Sequence, residues 1–179
     1  MTERQVAEIS GCVQWSPILS SDSRGTFSKV LFDSVRSSKD YSMEIQEIFW
    51  TNSKYGVIRG MHLQLPPNEG SKLVWVTSGV IRDVILDLRP SSPTFQRYCT
   101  LELNATTGLL HIPIGCAHGY EVLSSEAIVN YAQDCDHVPA SDSGVRWNSF
   151  GCDWITAKPI VSQRDAALPM LHEFVSPFI

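Results

Sequence analysis

The residues best suited to chemistry lie close together in the segment GVIRGMHLQLPP, residues 56–67. This segment places a basic side chain, an imidazole and an amide at Arg59, His62 and Gln64, and it ends in two prolines. An imidazole can bind a metal ion or transfer a proton near neutral pH. The segment therefore indicates a metal site, a proton-transfer site or an ordinary strand end whose polar residues are structural.

Two short motifs extend this observation, and both resemble motifs of jelly-roll barrels of the cupin type. The first is G-x5-H-x-H followed by Glu, and its positions are occupied by Gly56, His62, Gln64 and Glu69. The second is P-x-G-x-x-H, and its positions are occupied by Pro113, Gly115 and His118. The resemblance implies strands that close around a small-molecule cavity, with His62 and His118 converging on its interior.

The residue at position 64 bears on metal binding. In the metal-binding cupins that this segment resembles, three histidines and a carboxylate usually hold the ion. Gln64 occupies the position of the second histidine, and a neutral amide is a much poorer ligand than imidazole for zinc or iron. Three donors remain at His62, Glu69 and His118, so a metal-dependent cupin oxygenase is an alternative. We nevertheless expect a site without a metal or another cofactor.

The elements that must position these residues are predicted to be strands. Six segments are rich in β-branched and aromatic residues and are bounded by Gly, Pro, Asn or Ser: EIQEIFWTNS, SKLVWVTS, VIRDVILDLR, RYCTLELNA, LLHIPI and AIVNYAQD. Alternation within VIRDVILDLR divides its residues between two faces, Val84, Leu86 and Leu88 on one and Asp83, Ile85 and Asp87 on the other. The second face, part polar and part apolar, is typical of a wet cavity wall.

Helical periodicity is scarce. The best candidates are LFDSVRSSKD near residue 35 and RDAALPMLHEF near the end of the sequence. No repeat, low-complexity linker or change in composition divides the chain. The prediction is an all-β protein with one domain over residues 1–179, a cupin-type jelly-roll barrel with a few short peripheral helices.

A longer series of segments resembles one family. Seven segments follow the order found in dTDP-4-dehydrorhamnose 3,5-epimerase and related nucleotide-sugar epimerases: RGMHLQLPP, KLVWVTSGVIRDVILDLR, SSPTF, IPIGCAHGYEVLS, NYAQD, GVRWN and SQRDAALPML. The resemblance runs from DSRGTF, which begins at residue 22, to Leu171. It implies a cofactor-free enzyme that inverts carbon 3, carbon 5 or both in a 4-keto-6-deoxy sugar attached to a nucleoside diphosphate.

The resemblance also implies a catalytic set. His62 is the base that removes a proton beside the ketone, and Asp165 orients its ring and stabilises the imidazolium. Tyr131 stands across the sugar, where its phenol delivers a proton to the opposite face. Lys72 lies near the developing enolate oxygen and stabilises its charge.

The substrate-binding set is implied in the same way. Arg59 and Arg24 are expected to bind diphosphate oxygens, because a guanidinium matches them bidentately. Phe27 is expected beside the ligand. His118 and Asp83 resemble cavity residues that form hydrogen bonds near the keto group. Gln64 is expected to contact the substrate from the first motif.

Several positions differ from the family pattern. Lys29 stands where the family commonly has Glu, and Glu47 stands where it commonly has Gln, so the polarity of a contact between these two substrate-binding positions is exchanged. Tyr131 is retained in NYAQDCDH, but Asp136 and His137 replace an aromatic pair that is expected to stack on the nucleotide base. The nucleoside, the deoxysugar and the number of inverted carbons therefore stay open.

Composition excludes other classes of function. The 14 Lys and Arg against 19 Asp and Glu argue against non-specific binding of nucleic acid. The five cysteines are scattered, which favours a reducing compartment, and we expect a cytoplasmic protein. MTERQVAEIS lacks the pattern of a signal peptide, and no apolar run predicts a membrane span. By resemblance, the protein is expected to be a homodimer in which an N-terminal strand, with Trp15, Ile18 and Leu19, crosses to the neighbour.

Ordinary structural roles are the alternative for each residue taken alone. Arg59 and Lys72 could be solvated surface charges, Tyr131 could be a half-buried strand residue, and Asp165 could cap the last short helix. A non-catalytic barrel that binds sugars or nucleotides is the third functional alternative. The joint occurrence of the four catalytic types in the family order favours the epimerase.

Overall fold

The structure is a computed structural model that describes residues 3–6 and 8–178. Strands dominate this part of the chain. They are β1 (Glu3–Gln5), β2 (Val13–Trp15), β3 (Ile18–Asp22), β4 (Gly25–Lys29), β5 (Glu47–Lys54), β6 (Ile58–Gln64), β7 (Lys72–Ser78), β8 (Val80–Asp87), β9 (Tyr98–Asn104), β10 (Leu109–Ile112), β11 (Cys116–Val122), β12 (Glu126–Gln133) and β13 (Asp142–Gly144). The helices are α1 (Asp33–Arg36), α2 (Gln163–Ala166) and a 3-10 helix at Leu171–Glu173. The predicted all-β class is confirmed.

Two antiparallel sheets enclose the core. The larger sheet has the order β1-β2-β10-β7-β12-β5, and the smaller has the order β13-β6-β11-β8-β9. Apolar side chains from both sheets pack in one buried cluster, including Val74 and Val129 of the larger sheet and Ile85 and Val122 of the smaller. This arrangement is the cupin-type jelly-roll barrel that the two motifs predicted.

The alternation predicted in β8 is also confirmed. Val84, Leu86 and Leu88 pack on the outer face of the smaller sheet, in a buried cluster that includes residues of the C-terminal segment. Ile85 points to the core between the sheets. Asp83 is fully buried on the same side as Ile85 and binds His118. The strand therefore supplies a carboxylate to the interior while its other face holds the barrel together.

The helices are shorter than their sequence patterns. The segment near residue 35 forms the single turn α1, whose Val35 is buried in a cluster on the outer face of the larger sheet. The C-terminal pattern is split in two, because Pro169 cannot continue a helix that starts at Gln163. Over residues 3–6 and 8–178, no helix is long and apolar enough to cross a membrane.

Strands β6 and β11 approach each other closely where two glycines meet. A Cβ atom at Gly60 would lie 2.5 Å from the Cα atom of Gly119. The φ angle of Gly60 is 129°, in the region that favours glycine. The register of the two strands shifts here, and His118 is paired directly with His62. The close approach therefore brings two imidazole-bearing positions side by side at one level of the barrel.

Two parts of the chain expose apolar side chains to solvent, the β3–β4 hairpin and the edge strand β5. Strands β3 and β4 form a separate hairpin whose side chains are all exposed. Strand β5 is an edge of the larger sheet, and its outward residues Ile48 and Trp50 are 64% and 69% exposed. Large apolar side chains at a sheet edge are unusual for a free surface.

Candidate active site

His62 and Asp165 form a hydrogen-bonded pair, although they are 103 positions apart in sequence. His62 lies near the end of β6, and Asp165 lies in the first turn of α2. The distance from His62 Nε2 to Asp165 Oδ1 is 2.8 Å, and Asp165 Oδ2 accepts a hydrogen bond from the Gly60 amide at 3.1 Å. An ionised carboxylate only accepts hydrogen bonds, so Nε2 carries the proton and Nδ1 is left free to act as a base.

The short helix α2 is built to present this carboxylate. Its N-cap is Ser162, whose side chain accepts a hydrogen bond from the Asp165 amide at 3.0 Å. The Asp165 carboxylate is therefore not used as the cap and is directed to His62 instead. The alternative that Asp165 only caps the last helix is wrong.

At neutral pH, the His62 imidazole is neutral and the Asp165 carboxylate is ionised. Burial lowers the pKa of His62 below its ordinary value of 6.5, against the raising effect of Asp165. Burial pushes the pKa of Asp165 upward, but the hydrogen bonds from His62 and Gly60 bring it below its usual value. A neutral imidazole held in one tautomer is the form that can accept a proton.

A second pair of the same kind lies next to the first. His118 Nε2 is 2.6 Å from Asp83 Oδ2, and both side chains are buried. The ring of His118 also meets the ring of Tyr131 edge-on, with centroids 5.8 Å apart. The interior of the barrel thus contains two oriented imidazoles and one phenol.

Tyr131 enters the interior from the larger sheet. It is 6% exposed, and its ring stacks on Phe49 with centroids 4.7 Å apart. Burial raises the pKa of its phenol well above the ordinary value, so the group stays protonated. The alternative of a half-buried tyrosine with its hydroxyl in water is therefore wrong.

Lys72 and Arg59 are also directed into the barrel. Lys72 Nζ donates a hydrogen bond to the His62 carbonyl oxygen at 3.3 Å, and burial lowers its pKa to about 8. Arg59 Nε donates to Ser53 Oγ at 2.9 Å. Both residues line the inner cavity, so a purely surface role does not fit Lys72, which is part-buried, whereas Arg59 is exposed to solvent as well as to the cavity.

The cavity has an inner and an outer part. The inner part has a volume of about 140 Å³ and is lined by Phe49, Thr51, Arg59, His62, Lys72, His118, Tyr120 and Tyr131. The outer part has a volume of about 300 Å³ and includes Glu47, His137 and Arg164. The two parts share Phe49, His62 and Lys72 as lining residues, so they adjoin each other.

Arg164 is a site residue that the sequence analysis missed. Its Nη1 atom is 2.9 Å from His62 Nε2, and its Nη2 atom pairs with Asp142 Oδ2 at 2.5 Å. Because Nε2 donates its hydrogen bond to Asp165, it does not accept one from Arg164. The positive charge of Arg164 instead contributes to the lowered pKa of His62. Arg164 precedes Asp165 in SQRDAALP, and this adjacency was the available signal.

Gln64 lines the outer cavity, and its amide also forms hydrogen bonds to the backbone. Its amide nitrogen contacts the carbonyl oxygens of Asn68 and Asp136 at 3.1 Å and 3.0 Å, and its oxygen accepts from the Val138 amide at 2.6 Å. Gln64 thus fastens the loop that follows β12. A direct contact with substrate stays a prediction.

The proposed metal donors are not gathered. Within the described residues, no three His, Cys, Asp or Glu side chains form a set that could hold a metal ion. His62 and His118 each direct Nε2 to a carboxylate instead. The expectation that His62, Glu69 and His118 could act as three ligands is therefore wrong.

Three predicted substrate-binding residues lie away from the cavity within one chain. Arg24, Phe27 and Lys29 belong to the β3–β4 hairpin. Arg24 pairs with Asp22 at 2.5 Å, and Lys29 Nζ lies 6.0 Å from the centre of the Phe27 ring. Glu47 lines the outer cavity and accepts a hydrogen bond from Gln133 at 3.2 Å. The expected meeting of Lys29 with Glu47 does not occur within one chain.

The fold and the site define a cupin-type barrel enzyme with a histidine–carboxylate pair at its cavity. A family model described as dTDP-4-dehydrorhamnose 3,5-epimerase matches residues 6–173. The chain belongs to the dTDP-4-dehydrorhamnose 3,5-epimerase family, and it is an isomerase of the epimerase class. The family predicted from the order of the sequence segments is confirmed.

Individual relatives are similar over nearly the whole chain. The dTDP-4-dehydrorhamnose 3,5-epimerase of Shigella flexneri is 33% identical over 165 residues, which cover 88% of this chain and 90% of that protein. The crystal structure of the Bacillus anthracis enzyme, with TDP and PPi bound, has a TM-score of 0.87 and 33% identity, covering 95% of this chain and 100% of that chain. A 4-keto-6-deoxy sugar epimerase from the novobiocin gene cluster of Streptomyces spheroides has a TM-score of 0.90 and 27% identity, covering 97% and 88%.

Proposed function

We propose that the protein inverts carbon 3, carbon 5 or both in a nucleoside-diphosphate 4-keto-6-deoxy sugar, with His62 as the base and Tyr131 as the proton donor. One observation carries this proposal. His62 comes from the smaller sheet and Tyr131 from the larger sheet, and both line the same inner cavity of about 140 Å³. A sugar ring between them would meet a base on one face and an acid on the other, as inversion requires.

The neighbouring groups support this chemistry. A carbon acid beside a ketone is much weaker than imidazolium, so its deprotonation needs stabilisation of the enolate oxygen. The Lys72 ammonium and the His118 ring both line the inner cavity and can bind that oxygen. Asp165 stabilises the imidazolium that His62 becomes after it takes the proton. The Tyr131 phenol then gives its proton to the opposite face of the carbon.

The outer cavity suits the nucleotide. Arg164 lies at its wall beside His62, and Arg59 lies in the adjoining inner part. Guanidinium groups bind phosphate oxygens bidentately. Because the Bacillus anthracis relative was solved with TDP and PPi bound, we propose thymidine diphosphate as the nucleotide of the substrate.

The proposal is tested by incubating the protein with dTDP-4-keto-6-deoxyglucose in deuterated water and following carbon 3 and carbon 5 by NMR. Deuterium is expected at one or both carbons, together with the inverted product. Parallel incubations with guanosine, cytidine and uridine analogues test the choice of nucleoside. Binding without exchange for every sugar would instead establish the non-catalytic barrel.

The pH profile of kcat/KM is expected to be bell-shaped. The neutral imidazole of His62 is the active form, and its lowered pKa keeps it neutral down to pH values below 6.5, so the acid limb lies there. The charged form of Lys72 is the active form, and its ammonium is lost as pH rises through about 8. A rate profile over pH 5–10 measures both limbs, those bounds being a rough range around the two pKa values.

The variant Lys72→Arg separates the two limbs. Because a guanidinium keeps its charge over this whole range, the alkaline limb should move to higher pH while the acid limb stays in place. An unchanged alkaline limb in this variant would contradict the assignment to Lys72.

We also propose that the active form is a homodimer in which the hairpin of each copy reaches the cavity of the other. Every residue of the two hairpin strands is exposed, with Phe27 at 56%, and the apolar residues Ile48 and Trp50 are exposed on the edge strand β5. An exchanged hairpin would bring Arg24, Phe27 and Lys29 to a site they do not reach within one chain.

Light scattering is expected to give twice the chain mass of 20.0 kDa. The variant Trp50→Lys should shift this mass toward that of one chain, because it places a charge in the apolar contact. Val175→Lys is the control, since Val175 is 89% exposed and lies near the C-terminus. A fully active single chain would remove the dimer from the proposal.

We further propose a cytoplasmic protein that acts as one domain over residues 1–179. All five cysteines are free thiols. Burial raises the pKa of Cys12, Cys99 and Cys116, which keeps these thiols protonated and unreactive. Free thiols are typical of a reducing compartment.

A further inference from the structure

The inner cavity contains a second buried phenol, Tyr120, which lies two residues after His118. It is 1% exposed, and its hydroxyl is 2.8 Å from Thr51 Oγ1 and 3.0 Å from Ser53 Oγ. Ser53 Oγ also accepts a hydrogen bond from Arg59 Nε at 2.9 Å. Four polar groups are therefore joined in one continuous chain of hydrogen bonds.

Thr51, at the free end of this chain of hydrogen bonds, lines the inner cavity together with Tyr131. Phe49, Thr51 and Ser53 alternate along β5 and face the interior. The ring of Phe49 stacks on Tyr131, and Thr51 lies two residues further along the same face of β5. Thr51 also interacts with that phenol, and this interaction partly offsets the rise in the pKa of Tyr131 that burial causes.

The hydrogen bonds of this chain can all point in one direction. A guanidinium only donates hydrogen bonds, whereas a hydroxyl can donate one and accept others. Because Ser53 accepts from Arg59, its own proton is available to Tyr120. The Tyr120 proton is then available to Thr51, and the Thr51 proton is available to Tyr131. Every hydroxyl proton can thus point toward the Tyr131 oxygen.

We propose that Ser53, Tyr120 and Thr51 are positioning residues that stabilise the Tyr131 phenolate formed during inversion and return a proton to it. When Tyr131 has given its proton to the carbon, its oxygen takes the Thr51 proton, Thr51 takes the Tyr120 proton, and Tyr120 takes the Ser53 proton. Water replaces the Ser53 proton, and His62 releases to water the proton that it removed from the sugar. The protons balance, and no oxidant or other reactant is needed.

This inference rests on the proposed function, and it predicts a change in how the enolate is used. Without this chain of hydrogen bonds, Tyr131 donates its proton to the carbon poorly, while His62 still removes the proton from the other face. The enolate is then reprotonated more often from the His62 side. In deuterated water this gives deuterium at the carbon without inversion.

The test compares Tyr120→Phe with the wild-type protein in deuterated water. The rate of inversion is expected to fall by about tenfold, roughly the effect of one lost hydrogen bond. The rate of total deuterium incorporation should fall by less than about twofold, because the His62 step is intact. Thr51→Val should give the same change in the ratio of the two rates, and Thr51→Ser, which keeps the hydroxyl, should restore it.

Tyr98→Phe is the matched control, because its hydroxyl donates to the Gly151 carbonyl oxygen at 3.0 Å, away from the cavity. An unchanged ratio in both Tyr120→Phe and Thr51→Val would overturn the inference and leave the proposed function standing. An equal fall in inversion and incorporation would also overturn it, since this is the result of a merely structural role. Absence of any exchange by the wild-type protein would instead remove the proposed function itself.

Discussion

Replacing His62 with glutamine is expected to lower the rate of deuterium exchange at the sugar carbons by a factor of about 10²–10⁴, the usual contribution of a general base. The physical reason is the loss of the proposed base, the His62 nitrogen that the hydrogen bond to Asp165 leaves free. A glutamine amide can still donate a hydrogen bond to Asp165, which keeps the buried carboxylate partnered. The measurement is the rate of deuterium incorporation followed by NMR.

His172→Gln is the matched control for this variant. His172 is exposed and lies in the 3-10 helix near the C-terminus. Its replacement should leave the exchange rate unchanged. A His62→Gln protein that folds, binds the nucleotide and still exchanges deuterium at the wild-type rate would mean that another group is the base.

The variant Asp165→Asn is expected to lower the exchange rate by about 10³–10⁴, by analogy with the same change in a catalytic triad. The Gly60 amide donates to one oxygen of Asp165, so the asparagine carbonyl must face Gly60 and its amino group must face His62. His62 Nε2 must then accept a hydrogen bond, and the proton moves to Nδ1. The nitrogen that should act as the base is blocked.

The pH profile distinguishes this explanation from simple misfolding. Loss of the carboxylate removes the interactions with Asp165 that raise the pKa of His62, so the acid limb should move to still lower pH. Asp33→Asn is the control, because the Asp33 side chain is 92% exposed in α1. An Asp165→Asn protein with an unchanged rate and an unchanged acid limb would show that the pair is not used in the reaction.

The sequence predicted the parts of this site that are marked by short, ordered motifs. Alternation and turn residues predicted the strands, and the two motifs predicted that His62 and His118 would meet inside a barrel. The partner of His62 was predicted only by resemblance, because Asp165 is brought to it by the fold and not by spacing. Ser162 stands three residues before Asp165, which is a typical N-cap spacing, but this spacing does not show that the Asp165 carboxylate is directed to His62.

Other features depend on three-dimensional contacts that a linear pattern does not encode. Gln64 lines the outer cavity as its motif suggests, but its hydrogen bonds to Cys135 and Asp136 are not marked in the sequence. In the sequence, Tyr120 resembles an ordinary core residue of β11. Only the structure shows that its hydroxyl forms hydrogen bonds with Thr51 and Ser53. Arg164 acquires its role by lying between His62 and Asp142.

The hairpin shows a different limit. Arg24, Phe27 and Lys29 were predicted to bind substrate, but they are remote from the cavity of their own chain. A sequence motif does not show whether a residue lies in the site of its own chain or in the site of a second copy. One measurement of the oligomeric state therefore tests both the proposed dimer and the predicted substrate contacts of the hairpin residues.

The two glycines where β6 and β11 touch limit how the enzyme can evolve. A methyl group at Gly60 would collide with the neighbouring backbone and wedge the two strands apart. Enzyme engineers who wish to change the accepted nucleotide should therefore leave Gly60 and Gly119 untouched and diversify the wall of the outer cavity, for example at His137. Selection can then alter ligand choice while the distance between the two imidazoles is preserved.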